Sequence, residues 1–269
     1  MCPLPRFLAP DVPTAADPAD AAADDRAAAS DFDILREEGE HPELAQWRAN
    51  VGAPLALDLA PPAPPRFTGV DVLSWNLAIG DARLGELLER LRAGEWGGAG
   101  AEPERPLVVL AQEAYRADET VPGALRSAHH GGHKRARGER RSIADIAERY
   151  GLSLRYVASM RNGPAPSDRG NAVLSSVAIA RARAFSLPHV RQHRVAVAAE
   201  LMGMPGFAFV SAHLDTGGRL RAESRWRTGY GAGRAAQAAE LARRVLAAEV
   251  YGDVVVGGDL NTPLGVRDP

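Results

Sequence analysis

The chain has 269 residues, 45% of them hydrophobic, and a formal net charge of −2 at neutral pH. This length supports one large core or two small domains. The near-neutral charge excludes a strong overall attraction to nucleic acid or to an anionic membrane, and the single cysteine, Cys2, excludes an intrachain disulfide. No apolar run approaches the roughly 18 residues of a membrane-spanning helix, and the first residues lack the layout of a secretory signal. We therefore predict a cytoplasmic protein without a membrane span.

Residues 1–66 are predicted to form a partly disordered extension with short helices and a proline-rich linker. The first 29 residues are rich in Ala, Asp and Pro and are too poor in large apolar side chains to form a core. The two helices and the stiff linker are expected at Asp31–Glu38, Pro42–Asn50 and Ala60–Pro65. A single domain is predicted to follow over residues 67–269.

Strand-like and helix-like segments alternate irregularly after Phe67. Leucines at helical spacing predict an amphipathic helix over Asp81–Ala93, and further helices are expected at Ser142–Tyr150 and Ala232–Glu249. Predicted strands are Val70–Trp75, Pro106–Ala111, Ser153–Ala158, Ala172–Ser176, Arg183–Leu187, Arg194–Glu200, Phe207–Ala212 and Asp253–Val256. Many strands with few helices between them favour two β-sheets packed face to face, with the helices outside.

Polar residues recur at the ends of five predicted strands. They are Asn76, Glu113, Asn171, the pair His213 and Asp215, and the pair Asp259 and Asn261. Each residue taken singly fits an ordinary turn, a solvated charge or a satisfied core histidine. Five strand ends that carry only metal-ligand or phosphate-binding residue types are not a usual surface pattern, so together they indicate a site at one edge of the sheets.

The motifs around these residues resemble those of the endonuclease/exonuclease/phosphatase superfamily, which has the deoxyribonuclease-I-like fold. They occur in the matching order, as Val72–Leu77, Val109–Glu113, Arg169–Ser175, Ser211–Asp215 and Gly258–Asn261. The resemblance implies an α/β fold, a four-layer α-β-β-α sandwich of two mixed, mostly antiparallel sheets flanked by helices. It also implies Mg²⁺-dependent hydrolysis of a phosphate ester, with a weak preference for a phosphodiester.

The resemblance also implies a role for each polar residue. Glu113 would be the principal ligand of Mg²⁺, for which Mn²⁺ is an expected substitute, and Asn76 would assist. Asp259 would orient or deprotonate the attacking water, and Asn261 and His213 would donate hydrogen bonds to phosphate oxygens. Asn171 would help fix Asp259 or the phosphate. Arg169 and Asp215 would contribute to substrate binding.

The chain departs from the family pattern at its C-terminus. The family usually closes with a Ser-Asp-His segment on a later strand, whereas this chain has no histidine after His213. A truncated C-terminus with at least one core strand missing is therefore expected. The alternative is a catalytically inactive relative that acts as a binding module.

A nucleic acid, a phospholipid and an inositol or sugar phosphate all stay open as substrates, although the residues after Asn76 and His213 disfavour abasic-site repair.

Three further polar clusters are interpreted as ordinary surface. Residues 126–141 are rich in arginine and histidine and are expected to form a solvated loop, with phosphate contact as the alternative. Arg191, His193 and Arg194 are expected to form a charged strand edge. Arg234 and Gln237 are expected to be solvated positions of the last helix.

Overall fold

The computed structural model describes residues 42–64, 66–95, 104–124, 139–190, 192–216, 231–246 and 252–262. The described helices are α1 (Pro42–Arg48), α2 (Leu84–Arg92), α3 (Ile143–Tyr150) and α4 (Ala232–Leu246). The described strands are β1 (Leu55–Leu57), β2 (Asp71–Asn76), β3 (Leu107–Arg116), β4 (Ser153–Arg161), β5 (Asp168–Ser175), β6 (Ile179–Leu187), β7 (Arg194–Leu201), β8 (Phe207–His213) and β9 (Asp253–Asp259). The expected helix at Asp31–Glu38 and most of the basic loop lie outside the described residues.

These strands form two mixed sheets. The first has the order β1-β4-β5-β3-β2, and only its β2–β3 pair is parallel. The second has the order β6-β7-β8-β9, and only its β8–β9 pair is parallel. Because each parallel pair brings two carboxyl ends together, the polar residues that follow β2 and β3, and those that follow β8 and β9, converge in pairs.

The two sheets pack face to face and have helices on their outer faces. Along β7, alternate side chains enter different apolar clusters, as the two-residue period of a strand requires. Val195, Val197 and Ala199 join the larger cluster, which also holds α2 and α3, whereas Ala196 and Ala198 join the smaller cluster beside α4. The predicted four-layer α-β-β-α sandwich is confirmed.

The segment before the proline-rich linker packs on this sandwich. Trp47 of α1 and Val51 are buried in the larger cluster, and β1 pairs with β4. The backbone N–H of Gly52 donates a hydrogen bond of 2.9 Å to Asp168 on β5. The sequence left open whether residues before Phe67 pack on the domain, and residues 42–57 do so.

The expectation of solvated positions on the last helix is wrong. Gln237 is fully buried and Arg234 nearly so, on the same face of α4 as Leu241 and Val245. The Gln237 side chain donates to the carbonyl of Pro188 and accepts from the backbone N–H of Asp215. It thus connects α4 to the end of β8.

No helix in the described ranges has the length and apolar character needed to cross a membrane.

Candidate active site at the ends of the parallel strands

Asp259 lies at the meeting point of the two sheets. Its Oδ2 accepts a hydrogen bond of 2.8 Å from Nδ2 of Asn76, which ends β2 on the opposite sheet. Nε2 of His213, at the end of β8, lies 3.7 Å from the same oxygen. His213 is almost fully buried, whereas the Asp259 side chain keeps 32% of its surface exposed. One carboxylate oxygen is therefore held between an amide and an imidazole while solvent still reaches the group.

The other oxygen of Asp259 is held by its own loop. Asn261, whose φ of 52° is left-handed, donates its backbone N–H to Oδ1 of Asp259 at 2.9 Å. Its side-chain amide donates to the carbonyl of Leu214 at 2.8 Å, so the loops after β8 and β9 are joined. Asparagine tolerates a left-handed backbone better than most residues do, which explains its use at this turn.

Glu113 sits in a β-bulge rather than just past a strand end. Strand β3 continues to Arg116, and the pairing with β5 shifts between Ala111 and Ala114, so that two residues oppose one. Glu113 has a φ of 49°, which is unfavourable for a residue with a Cβ. Bulges of this kind redirect a side chain next to active sites. The bulge immediately follows Gln112, which pairs with Asn76, so Glu113 lies beside the end of β2.

Polar contacts between the sheets support this bulge. The Gln112 side chain donates to Oγ of Ser211 at 3.1 Å, and Ser211 in turn donates to the carbonyl of Ala111 at 2.9 Å. All three residues are fully buried. Gln112 and Ser211 could not be predicted from the sequence as supports of the site, because a polar residue inside an apolar strand gives no signal of which sheet it faces.

Asn171 and Asp215 lie behind the exposed edge of the site. Asn171 is within β5, and its amide donates to the carbonyl of Val195 on β7 at 2.6 Å, so the expected bond to Asp259 is not among the described contacts. The buried carboxylate of Asp215 accepts backbone hydrogen bonds from Gln192 and Thr216. Direct substrate contact by these two residues stays a prediction.

Two buried guanidinium groups adjoin these residues. Arg169 donates to Oδ1 of Asn162 at 2.9 Å and approaches Sδ of Met160 at 3.0 Å. His193 and Arg194 are both buried, so the expectation of a charged strand edge is wrong for these two residues. Arg191, the third residue of that prediction, lies outside the described residues. Burial lowers the pKa of both arginines, and the nearby carboxylate of Glu113 opposes that change in each. Both cations therefore lie within electrostatic reach of Glu113.

The donors at this edge fit a hard divalent cation. The described residues contain no group of three or more His, Cys, Asp or Glu side chains arranged as a metal cage. The available donors are carboxylate and amide oxygens of Glu113, Asp259 and Asn76, and each of these side chains is partly exposed. Mg²⁺ keeps several waters and is usually bound through one or two carboxylates plus substrate phosphate. An open oxygen set of this kind fits Mg²⁺ or Mn²⁺.

Comparison with known families gives the same result as the motifs. The model of the Endonuclease/Exonuclease/phosphatase family matches residues 73–268, which is more than half of the chain. The chain belongs to this family. The match covers the five motifs except for Val72 of the first, and it leaves α1 and β1 outside it. No curated protein sequence matches the chain significantly.

Solved structures resemble the chain at low sequence identity. An endonuclease/exonuclease/phosphatase from Beutenbergia cavernae DSM 12333 is 19% identical with a TM-score of 0.40, and the match covers 71% of this chain and 47% of that one. ANGEL2, a 2',3'-cyclic phosphatase, is 14% identical with a TM-score of 0.40, over 73% and 52% of the two chains. Sphingomyelinase C from Streptomyces griseocarneus is 16% identical with a TM-score of 0.36, over 73% and 66%. The chain thus spans about half the length of the first two.

Proposed function

We propose that the chain hydrolyses a phosphate ester, most simply a phosphodiester, by Mg²⁺-assisted in-line attack of water. The observation that carries the proposal is the position of Asp259 Oδ2, held by Asn76 at 2.8 Å and facing His213 at 3.7 Å. A carboxylate fixed in this way beside Glu113 supplies the groups that metal-assisted hydrolysis needs. Membership of the endonuclease/exonuclease/phosphatase family supports the same reaction class.

Asp259 would orient the attacking water and accept its proton. Its two oxygens are already fixed by donors from Asn76 and from the backbone of Asn261, so the remaining lone pairs have set directions. A general base needs this fixed geometry more than it needs a large pKa shift. The partial exposure of the carboxylate leaves room for water.

The groups around Asp259 would bind the phosphate. Glu113, assisted by the side-chain oxygen of Asn76, would hold Mg²⁺, which neutralises phosphate charge and lowers the pKa of bound water. His213 and the Asn261 amide would donate hydrogen bonds to phosphoryl oxygens as negative charge develops. Arg169 would attract the anionic substrate from its buried position. Asn171 would hold β5 against β7 behind the site.

The role of a non-catalytic binding module is not favoured. A surface that only binds phosphate needs cations and hydrogen-bond donors, whereas this edge also contains the carboxylates of Glu113 and Asp259. Two carboxylates repel a phosphate unless a cation offsets their charge. Their presence is explained by metal-assisted hydrolysis.

The test is a metal-dependent assay of the purified full chain with bis-p-nitrophenyl phosphate as a generic phosphodiester and p-nitrophenyl phosphate as the monoester. Addition of EDTA should abolish turnover, and Mg²⁺ or Mn²⁺ should restore it. Asp259→Asn should lower kcat by about 10²–10⁴-fold, the usual contribution of a positioned base. Glu113→Gln should raise the half-saturating Mg²⁺ concentration by more than about tenfold, the effect found even for outer-shell partners of a metal.

Glu119→Gln is the matched control, because Glu119 is an exposed carboxylate six positions after Glu113. It should behave as the wild type. Unchanged metal-dependent turnover in Asp259→Asn and Glu113→Gln would show that the site is wrongly assigned. A panel of nucleic acid, phospholipid and inositol or sugar phosphates then separates the substrate classes.

A further inference from the structure

Arg194 is a buried cation whose hydrogen-bonding capacity is only partly used. It begins β7, and its side chain is 5% exposed. The nearest carboxylate oxygen recorded for it, Oδ1 of Asp215, lies 4.0 Å from Nη2, which is beyond hydrogen-bond distance. Its buried Nε has no hydrogen-bond partner within the described part of the chain. A buried guanidinium with an unpartnered N–H keeps part of its desolvation penalty, because the water lost from that N–H is not replaced.

The surroundings of Arg194 belong to the candidate site. The carboxylates of Asp215, Glu113 and Asp259 all act on it electrostatically, and Arg169 repels it. The next residue, Val195, receives the hydrogen bond from Asn171. Two buried arginines therefore lie within electrostatic range of Glu113, which would hold the metal ion, and Arg194 also lies within range of Asp259. An anion of the size of phosphate would give the Nε–H of Arg194 an acceptor and would screen the two arginine charges from each other.

The side chain of Trp47 fixes the residue that precedes Arg194. Its indole stacks on the imidazole of His193, with ring centroids 4.1 Å apart and an angle of 27° between the planes. Burial lowers the pKa of His193 to about 3, so the imidazole is neutral and acts as a flat packing surface. Nε2 of His193 lies 3.3 Å from Oγ of Ser186 on β6, which fixes the ring from a second side.

We propose that Arg194 binds a non-bridging phosphate oxygen of the substrate, and that Trp47, stacked on His193, is the positioning residue that holds Arg194 in place. This inference rests on the proposed function and extends it. Trp47 is on α1, which precedes the family match that begins at residue 73. The segment before the linker would thus complete a phosphate site whose other parts all come from the family domain.

The experiment measures binding of inorganic phosphate to the full chain by calorimetry, in the presence of Mg²⁺ and without turnover. Arg194→Gln should weaken phosphate binding by about ten- to a hundredfold, the range for loss of charged hydrogen bonds. Arg194→Lys keeps the positive charge but lacks the planar guanidinium, so phosphate affinity should fall less than in Arg194→Gln. Arg181→Gln, an exposed arginine on β6, should bind as the wild type. Circular dichroism and thermal unfolding verify that each variant is folded.

Trp47 is tested by the same binding measurement. Trp47→Ala should weaken phosphate binding several-fold, whereas Trp47→Phe, which keeps an aromatic ring over His193, should restore most of it. Leu44→Ala is the matched control, since Leu44 also packs α1 on the larger cluster. If Leu44→Ala and Trp47→Ala weaken phosphate binding equally, α1 matters only for stability and the positioning role is refuted.

Three outcomes are decisive for Arg194. Equal phosphate affinity in the wild type and Arg194→Gln overturns its role, and so does a wild type that binds no phosphate. If the wild type binds phosphate in an Arg194-dependent way but hydrolyses no phosphate ester, the inference stands and the proposed hydrolysis fails. In an active enzyme, Arg194→Gln should also raise KM and lower kcat.

Discussion

Nδ2 of Asn76 donates a hydrogen bond to Oδ2 of Asp259 across 183 positions of the chain and across the gap between the two sheets. The oxygen of the Asn76 amide is also hydrogen-bonded, because Oδ1 accepts a hydrogen bond of 2.9 Å from the backbone N–H of Ala78. The orientation of the amide is therefore fixed at both its nitrogen and its oxygen. The orientation of Asp259 in turn depends on a side chain of the opposite sheet. Catalysis should consequently be sensitive to changes that leave Asp259 itself intact.

The first prediction concerns this bond. Asn76→Ala should lower kcat by about 10²-fold or more, since removal of one fixed donor in an active site has an effect of this order. Thermal stability should change little, because Asn76 lies in the partly exposed edge of the site and outside the apolar core. The measurement is steady-state kinetics with a phosphodiester, with Thr68→Ala at an exposed site as the control. A normal kcat in Asn76→Ala would mean that Asp259 does not need this donor.

The second prediction concerns the close approach of β8 and β9. A Cβ at Gly258 would overlap the carbonyl oxygen of Ala212 on β8, and a backbone atom within a sheet cannot easily move away. Gly258→Ala should therefore lower the free energy of unfolding by about 3 kcal/mol or more, at the upper end of overpacking effects. Urea unfolding measures this change. Gly252→Ala, where the added Cβ meets only Gly206 at 3.4 Å, should change stability by less than about 1 kcal/mol.

The third prediction concerns a buried ion pair behind the site. Arg116 donates to both carboxylate oxygens of Asp168, at 3.1 and 2.6 Å, and Tyr156 donates to the same carboxylate at 2.7 Å. Asp168→Asn leaves the buried Arg116 charge with only the more distant and partly exposed carboxylate of Asp118, 3.8 Å from its Nε, so it should destabilise by about 3 kcal/mol. Chemical denaturation gives the value.

The surface ion pair between Asp71 and Arg105 is the control for the buried Arg116–Asp168 pair. Its arginine is 56% exposed, and Asp71→Asn should change stability by at most about 1 kcal/mol. If the two substitutions had the same effect, burial of the Arg116–Asp168 pair would have no special importance.

The fourth prediction is a pH dependence of stability that arises from His193. In the folded chain its pKa is about 3, against 6.5 for an unburied histidine. Below pH 6.5 the unfolded chain binds a proton that the folded chain does not, so acid favours unfolding. The contribution of the neutral, buried His193 to the free energy of unfolding is fully present above pH 6.5. It falls towards pH 3 by at most about 1.4 kcal/mol per pH unit.

His193→Phe should remove the part of the pH dependence of the free energy of unfolding that comes from His193, while it keeps an aromatic ring against Trp47. Urea unfolding of the wild type and the variant at about pH 7, 6 and 5 measures it. His189→Gln removes an exposed histidine nearby and should leave the slope as in the wild type. A slope that is identical in the wild type and His193→Phe would assign the acid sensitivity to other groups.

The sequence predicted the sandwich because local patterns define its strands. Apolar runs such as Phe207–Ala212, followed at once by polar residues, marked both the strand and the end at which it meets the site. The short strand β1 escaped notice, because three residues after Pro54 carry no pattern of their own and pair only through contact with β4. Residue Glu113 was expected just after a strand, since nothing in Gln112–Glu113 announces a bulge.

The supporting residues could not be predicted for a different physical reason. Arg194 and Gln237 are long polar side chains, and such residues are usually solvated. Burial brings both beside Asp215, which is about twenty positions away in the sequence. The Asp215 carboxylate lies 4.0 Å from Nη2 of Arg194, and the Asp215 backbone N–H donates a hydrogen bond to Gln237. A single sequence read by local pattern contains no information on such pairs.

The hydrogen bonds that join Gln112, Ser211 and the Ala111 carbonyl have a mechanical consequence. Apolar contacts between two sheets have no preferred direction, so they fix the relative position of the sheets less sharply than hydrogen bonds do. Directional bonds oppose sliding of one sheet over the other, and these bonds lie beside the bulge that carries Glu113. Changes in core volume farther along the strands should then be absorbed away from this edge. The alignment of the reacting groups can therefore persist while the rest of the interior varies.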